Sequence, residues 1–267
     1  MAEPIAIPKG ATLPYQFVIL PGKFAQDKWV RGVDVIPGNA SVVHHAVVYV
    51  RAPEMSWLRG ADRSRRTTAD ILSVYAPGSS AVDLPEGYAK KIPAGSDLVL
   101  QLHYTAKKTD THDQTAVGLR YASPPAKRVH TLQMAREDFL IEPGDANARF
   151  SAGGTLPADV ELLSLFPHMH LRGSAFEFIA DRRLLLRVKP YDFFWQLTYW
   201  LKDPLPLKKG TRLLWTGWFD NSAANPRNPD AGATVRVGEQ SWEEMLVGFF
   251  DVAADPALSK EDLFRLR

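Results

Sequence analysis

Phe166-Pro167-His168-Met169-His170 closes the apolar run Val160 to Phe166 and sets two histidines one residue apart in a stretch composed like a strand. In an extended strand, residues i and i+2 project from one face, roughly 7 Å apart along the chain. Two imidazoles so placed can chelate one metal ion. The chain has seven histidines, and four of them fall into two tight pairs, this one and His44-His45. A lone histidine on a sheet surface is ordinarily satisfied by hydrogen bonds; the His-x-His spacing is what turns the reading toward a metal. Copper and zinc both suit imidazole, and a nearby thioether tilts the choice toward Cu(I).

The segments on either side read as further strands. Tyr15 to Leu20 stops at Pro21-Gly22, Trp29 to Ile36 alternates loosely, and Pro37-Gly38-Asn39 turns the chain into Ser41 to Val50. Residues 53–97 are broken by Pro and Gly into loops with short strands, and the Arg59, Arg63, Arg65 and Arg66 cluster there reads as a solvated loop rather than an anion site. In Leu98 to Thr105, Leu98, Leu100 and Leu102 share one face and Val99, Gln101 and His103 the other. Thr109 to Gln114 reads as a polar loop with His112 exposed, and Val117 to Tyr121 as a strand. Ser123-Pro124-Pro125-Ala126-Lys127 breaks the pattern and marks a linker, giving expected domains 1–127 and 128–267.

Beyond the linker, strands are expected at Val129 to Met134, near Phe139, and at Val160 to Phe166, Leu184 to Val188, Phe193 to Leu201, Thr211 to Phe219 and Trp242 to Val252, with turns at Pro143-Gly144 and Gly153-Gly154. The tail Ser259 to Arg267 is the one helical expectation, with Ser259 and Asp262 spaced as a capping box. Many short strands with almost no helical period predict an all-β protein of two antiparallel, jelly-roll-like β-sandwich domains.

Composition narrows the function classes. Thirty-two Lys+Arg against thirty Asp+Glu leave a formal charge of +2, too balanced for a protein that binds nucleic acid by neutralising phosphates. With no cysteine, thiolate metal sites, iron–sulfur clusters and thiol nucleophiles are excluded, and a metal must use His, Met, Asp or Glu. No apolar run reaches the ~20 residues a membrane helix needs. Met1-Ala2-Glu3-Pro4 lacks the basic start and apolar core of a leader, and Ala2-Glu3-Pro4 suits the start of an exported protein after signal removal.

His44-His45 is harder to read from geometry. Adjacent residues in a regular strand point to opposite faces, so both can reach one ion only at a bulge, a strand end or a strong twist. His103 is a third histidine in the same half, at the end of an apolar strand. Met245 by itself reads as a core methionine.

Taken in order, Val43-His44-His45-Ala46, Leu100-Gln101-Leu102-His103-Tyr104, Phe166-Pro167-His168-Met169-His170-Leu171 and Glu243-Glu244-Met245 resemble the motifs of the copper type II, ascorbate-dependent monooxygenases. That family includes peptidylglycine α-hydroxylating monooxygenase and dopamine β-monooxygenase. The resemblance spans about residues 30 to 250. It implies two copper ions per chain: His44, His45 and His103 would hold the electron-transfer copper, and His168, His170 and Met245 the copper at which O2 is activated. Gln101 matches a glutamine that precedes the third histidine in the family and is expected beside the cofactor. The implied activity is hydroxylation of a C–H bond of a small organic substrate, with O2 and a one-electron donor such as ascorbate. A bacterial, periplasmic or extracellular protein is expected from the family and its use of copper. The alternative is a non-catalytic copper-binding or storage protein on the same scaffold. A zinc hydrolase fits less well, because no His-Glu-x-x-His is present and methionine is a poor zinc ligand.

Three positions depart from the peptide-amidating branch. Phe166 stands where those members carry the arginine that holds a substrate carboxylate, two residues before the first histidine of the pair. Val247 and Phe249 stand where they carry Asn and Tyr after the methionine. Phe166, Val247 and Phe249 are therefore the expected lining of a more apolar substrate pocket. The aromatic segment Tyr191 to Gln196 and the turn Phe219 to Ser222 are read as core, with a pocket wall as the other option.

Overall fold

The structure, a computed structural model, describes all residues except Thr12, Lys23, 60–68, Ser80 and Arg267. Arg63, Arg65 and Arg66 of the expected arginine cluster lie outside the described residues; Arg59 is held by Asp97, at 3.4 Å, and by the Pro53 carbonyl. The chain is all-β and divides into two compact units, Met1–Thr131 and Leu132–Arg267. The division falls inside the strand Lys127–Arg136.

In the first unit, a four-stranded antiparallel sheet runs in the order Gln16–Leu20, Asp97–Tyr104, Val43–Arg51, Asp70–Tyr75. A second sheet carries Ala116–Ala122, Lys28–Ile36 and Tyr88–Ile92 side by side. One pairing departs from the all-antiparallel expectation, since Lys127 and Arg128 run parallel to Tyr88 and Ala89. Thr111–Asp113, expected as loop, pairs with Ile5–Ile7, and His112 within it is exposed.

In the second unit, Leu246–Ala254, Val160–His168 and Tyr199–Leu207 form one layer. Arg183–Val188, Gly173–Ala180, Arg212–Phe219, Ala148–Thr155 and Arg265–Leu266 form the other. The core lies between them: Leu162, Leu165, Phe250 and Val252 from the first layer meet Phe176, Phe178, Leu213 and Trp215 from the second.

Expectations also fail locally in the second unit, where Gly153-Gly154, expected as a turn, lies inside the strand Ala148–Thr155. The tail makes a single turn at Lys260–Asp262 rather than a helix, although Asp262 does accept from the backbone N–H and hydroxyl of Ser259 (2.9 and 2.7 Å). An isolated helix of that length is marginal, whereas Arg265–Leu266 finds a strand partner at Gly154–Thr155. The strand expected from Phe193 begins at Tyr199, because Asp192 folds the aromatic segment into a turn by accepting the Phe194 N–H at 2.8 Å.

Gly248 has a steric reason to be glycine. A Cβ there would stand 1.4 Å from Nε1 of Trp215, the largest fully buried side chain. Gly248→Ala therefore forces the indole or the strand to move and should destabilise the second unit by about 3 kcal/mol, the upper range for overpacking. Urea unfolding followed by tryptophan fluorescence checks this; a midpoint unchanged from wild type contradicts the packing described.

Candidate metal centres

In the first unit the register across Val43–Arg51 and Asp97–Tyr104 pairs Val43 with Tyr104 and His45 with His103, leaving His44 as an extra residue. This bulge resolves the adjacent-histidine problem, since the inserted residue lets both His44 and His45 serve one side of the sheet. Below it the pairs Val47–Gln101 and Tyr49–Val99 continue the face that carries His45 and His103. Gln101 is half-buried on that face.

The three imidazoles converge, with ring centroids 5.5 Å (His44–His45), 5.3 Å (His44–His103) and 5.0 Å (His45–His103) apart. One ring nitrogen from each lies within 4.8 Å of the other two, and the Nδ1 atoms of His44 and His45 are 3.2 Å apart. Nitrogens bound at about 2.0–2.1 Å around a tetrahedral ion stand roughly 3.4 Å from one another. The donor set thus fits a borderline or soft ion such as Zn, Cu(I) or Cu(II), with three half-buried imidazoles and no carboxylate.

Two supports hold this arrangement. Tyr15, just before the edge strand, packs its ring 5.0 Å from His103 and 5.6 Å from His45. Asp113, fully buried, accepts from the Tyr104 hydroxyl (2.9 Å), the Asn39 N–H (2.9 Å) and the Thr115 hydroxyl (2.7 Å), tying the turn before His44 to the residue after His103. Burial and the Asp113 hydrogen bond push the Tyr104 hydroxyl far above its ordinary value, so it stays a donor. Neither Tyr15 nor Asp113 is singled out by sequence; only their spacing from strands that carry histidines hints at them.

A second bulge governs the other unit. Val160–His168 pairs Leu162 with Val252, then Ser164 with Asp251 and Leu165 with Phe250. The extra residue, Leu163, reverses the alternation, so Leu165 and Met169 join the core while Phe166 and His168 face the other way. Phe166 stands opposite Phe249 and His168 opposite Val247, so the three expected pocket residues share the histidine's face. Phe166 is buried, its ring edge-on to Phe249 at 5.8 Å.

The His168 and His170 rings are 5.3 Å apart and nearly perpendicular. Between them Met169 sinks into the core, where Gly217 leaves room for its sulfur. Its backbone is clamped by Tyr191, whose hydroxyl accepts from Met169 N–H (2.9 Å) and donates to Met169 C=O (2.8 Å). Met245 lies two residues before Val247, just outside the strand Leu246–Ala254, and is half-buried like Val247 and Phe249.

Glu244 ties these pieces together. Its Oε2 accepts from the backbone N–H of His170 (2.8 Å) and of Met245 (3.3 Å), and its Oε1 from that of Arg172 (2.7 Å). The His170 and Met245 backbones therefore meet at one oxygen atom. Burial pushes the Glu244 carboxyl up to about 8, opposed by the three N–H donors and the Arg172 charge. The Arg172 guanidinium is itself buried and donates to Asn221 Oδ1 and the Trp242 carbonyl, both at 2.8 Å. Burial pulls the His168 imidazole below its ordinary range, against a hydrogen bond to Gln196, which favours the neutral ring a metal requires. Sequence reasoning reached Glu244 only as the neighbour of Met245, and Gln196 only as the end of an aromatic run.

Compared with known proteins, the chain matches no family model and no curated protein.

Removing the Glu244 carboxyl leaves two buried N–H groups, of His170 and Arg172, and the part-buried one of Met245 without their acceptor. Glu244→Ala should cost the second unit about 3 kcal/mol or more, read as a lower urea midpoint, while backbone amide shifts of His44, His45 and His103 stay as in wild type. Wild-type stability in this variant would contradict the structural role given to Glu244.

Proposed function

We propose that this chain is a copper-dependent monooxygenase that hydroxylates a C–H bond of a small organic substrate, using O2 and a one-electron reductant such as ascorbate. The observation that carries the reading is a pair of unlike donor sets in separate units. One is three converging imidazoles, and the other is a His-x-His pair with a methionine backbone fastened beside it. Copper, when bound, supplies dioxygen activation and one-electron transfer.

The chain's own residues supply the rest. His44, His45 and His103 would hold one ion in an all-imidazole site, stable in either oxidation state. His168, His170 and Met245 would hold the other, where a thioether favours Cu(I) and two imidazoles leave a coordination position for a further ligand. Burial favours the neutral His168 ring that ligation needs. Val247, Phe249 and the buried Phe166 give the substrate side an apolar character, with no cation among them to pair with a carboxylate. An uncharged or apolar substrate follows.

Ascorbate-driven O2 consumption by the copper-loaded protein, with hydroxylated product detected across a panel of apolar substrates, tests the activity. Two equivalents of copper without product or peroxide favour a binding or storage protein, and one equivalent of tight zinc with no copper defeats the proposal. Met245→Ile should weaken Cu(I) binding at one site by more than about tenfold, roughly 1.4 kcal/mol, and leave the other unchanged. His103→Ala should do the reverse, releasing the other ion. Cu(I) competition titrations measure both, and loss of both ions from either variant argues against independent sites.

A further inference from the structure

The segment Tyr191 to Gln196 carries more than apolar bulk. Gln196 is buried, and its amide has two polar contacts of opposite sense: Nε2 donates to the Phe193 carbonyl at 2.8 Å, and Oε1 lies 2.7 Å from His168 Nδ1. A backbone carbonyl can only accept, so the Phe193 contact fixes which end of the amide is nitrogen. The oxygen is then the atom that faces His168, and an amide oxygen can only accept. The His168 ring must place its proton on Nδ1, which leaves Nε2 as its lone-pair nitrogen. His170 is held in the same sense, because its Nδ1 lies 3.2 Å from the Glu243 carbonyl, again a pure acceptor.

We propose that Gln196 is a positioning residue of the second centre. It locks His168 as the Nδ1–H tautomer, so that the ring presents Nε2 to the metal, in parallel with the Glu243 carbonyl acting on His170. The lock sits on a braced support. Asp192 accepts from both terminal nitrogens of Arg227 at 2.7 and 2.8 Å and from the Phe194 N–H, while the Trp195 N–H returns to the Asp192 carbonyl at 2.9 Å. The Phe193 ring lies 6.0 Å from His170. One turn thus orients one histidine by hydrogen bond and packs against the other. Outer-shell acceptors of this kind fix ring orientation and raise ligand basicity, and their loss ordinarily weakens metal affinity about 10- to 100-fold.

The metal role rests on the function proposed above, whereas the tautomer is a property of the metal-free protein. Long-range proton–nitrogen NMR of the metal-free chain, with His168 assigned by its absence in His168→Ala, reads the tautomer directly. Protonated Nδ1 with unprotonated Nε2 is expected; an Nε2–H ring in wild type overturns the proposal. Gln196→Met keeps bulk and removes the acceptor. It should shift His168 toward Nε2–H and lower Cu(I) affinity at this centre about 10- to 100-fold, with the three-histidine centre unchanged. Gln196→Glu, which retains an acceptor, should keep Nδ1–H. An unmoved tautomer and unmoved affinity in Gln196→Met overturn the lock. If Gln196→Met does not fold, the wild-type and Gln196→Glu spectra still decide the matter. If wild-type protein binds no copper here, the metal reading falls and the tautomer spectra alone judge Gln196.

Discussion

The strict alternation of side chains along a β-strand is the constraint on which both centres depend, and each is built by violating it once. A regular strand would send His44 and His45 to opposite faces and would turn His168 into the core of its unit. The extra residues His44 and Leu163 reset the parity at these two places. In the first case the bulge gathers imidazoles; in the second it lets Leu165 and Met169 fill the core while His168 faces the other way. Fold and site are therefore one problem, since a slip of register in either strand would expose core residues and displace the histidines together.

Once parity has placed the side chains, buried polar groups hold them. Asp113 fastens the turn before His44 to Tyr104, and Glu244 fastens Met245 to His170 and Arg172. Each carboxyl group is fully buried and accepts several donors, the condition under which a buried polar group is tolerated at all. Truncating such a group costs more than the same change on the surface, because its partners are left desolvated. Each carboxyl is linked through the backbone or a neighbouring side chain to the histidine-bearing segments without belonging to the candidate ligand sets. Rigidity at the histidines thus comes from residues that never need to touch a metal.

Much of this was legible in the sequence. The all-β class and the near absence of helix followed from turn residues and period, and the histidine positions stood out by spacing, whereas Ala148–Thr155 and Gly173–Ala180 were not expected as strands. What was not legible depends on long-range pairing. The bulge at His44 requires knowing that His45 faces His103, and the bulge at Leu163 is silent in an apolar run that reads as a continuous strand. The strand expected from Phe193 to Leu201 starts only at Tyr199, because its aromatic opening imitates a strand while Asp192 turns the chain locally. The tail kept its capping box and still did not become a helix, since one turn of local preference is weaker than a strand partner at Gly154–Thr155.

The central claim is that two bulged strands assemble two separate copper centres with different donor sets. Anomalous diffraction at the copper edge, from crystals of the copper-loaded protein, tests it most directly. The account predicts two peaks per chain, one among His44, His45 and His103 and one within bonding distance of His168, His170 and the Met245 sulfur. A single peak, or a second peak whose ligands exclude Met245, would contradict it.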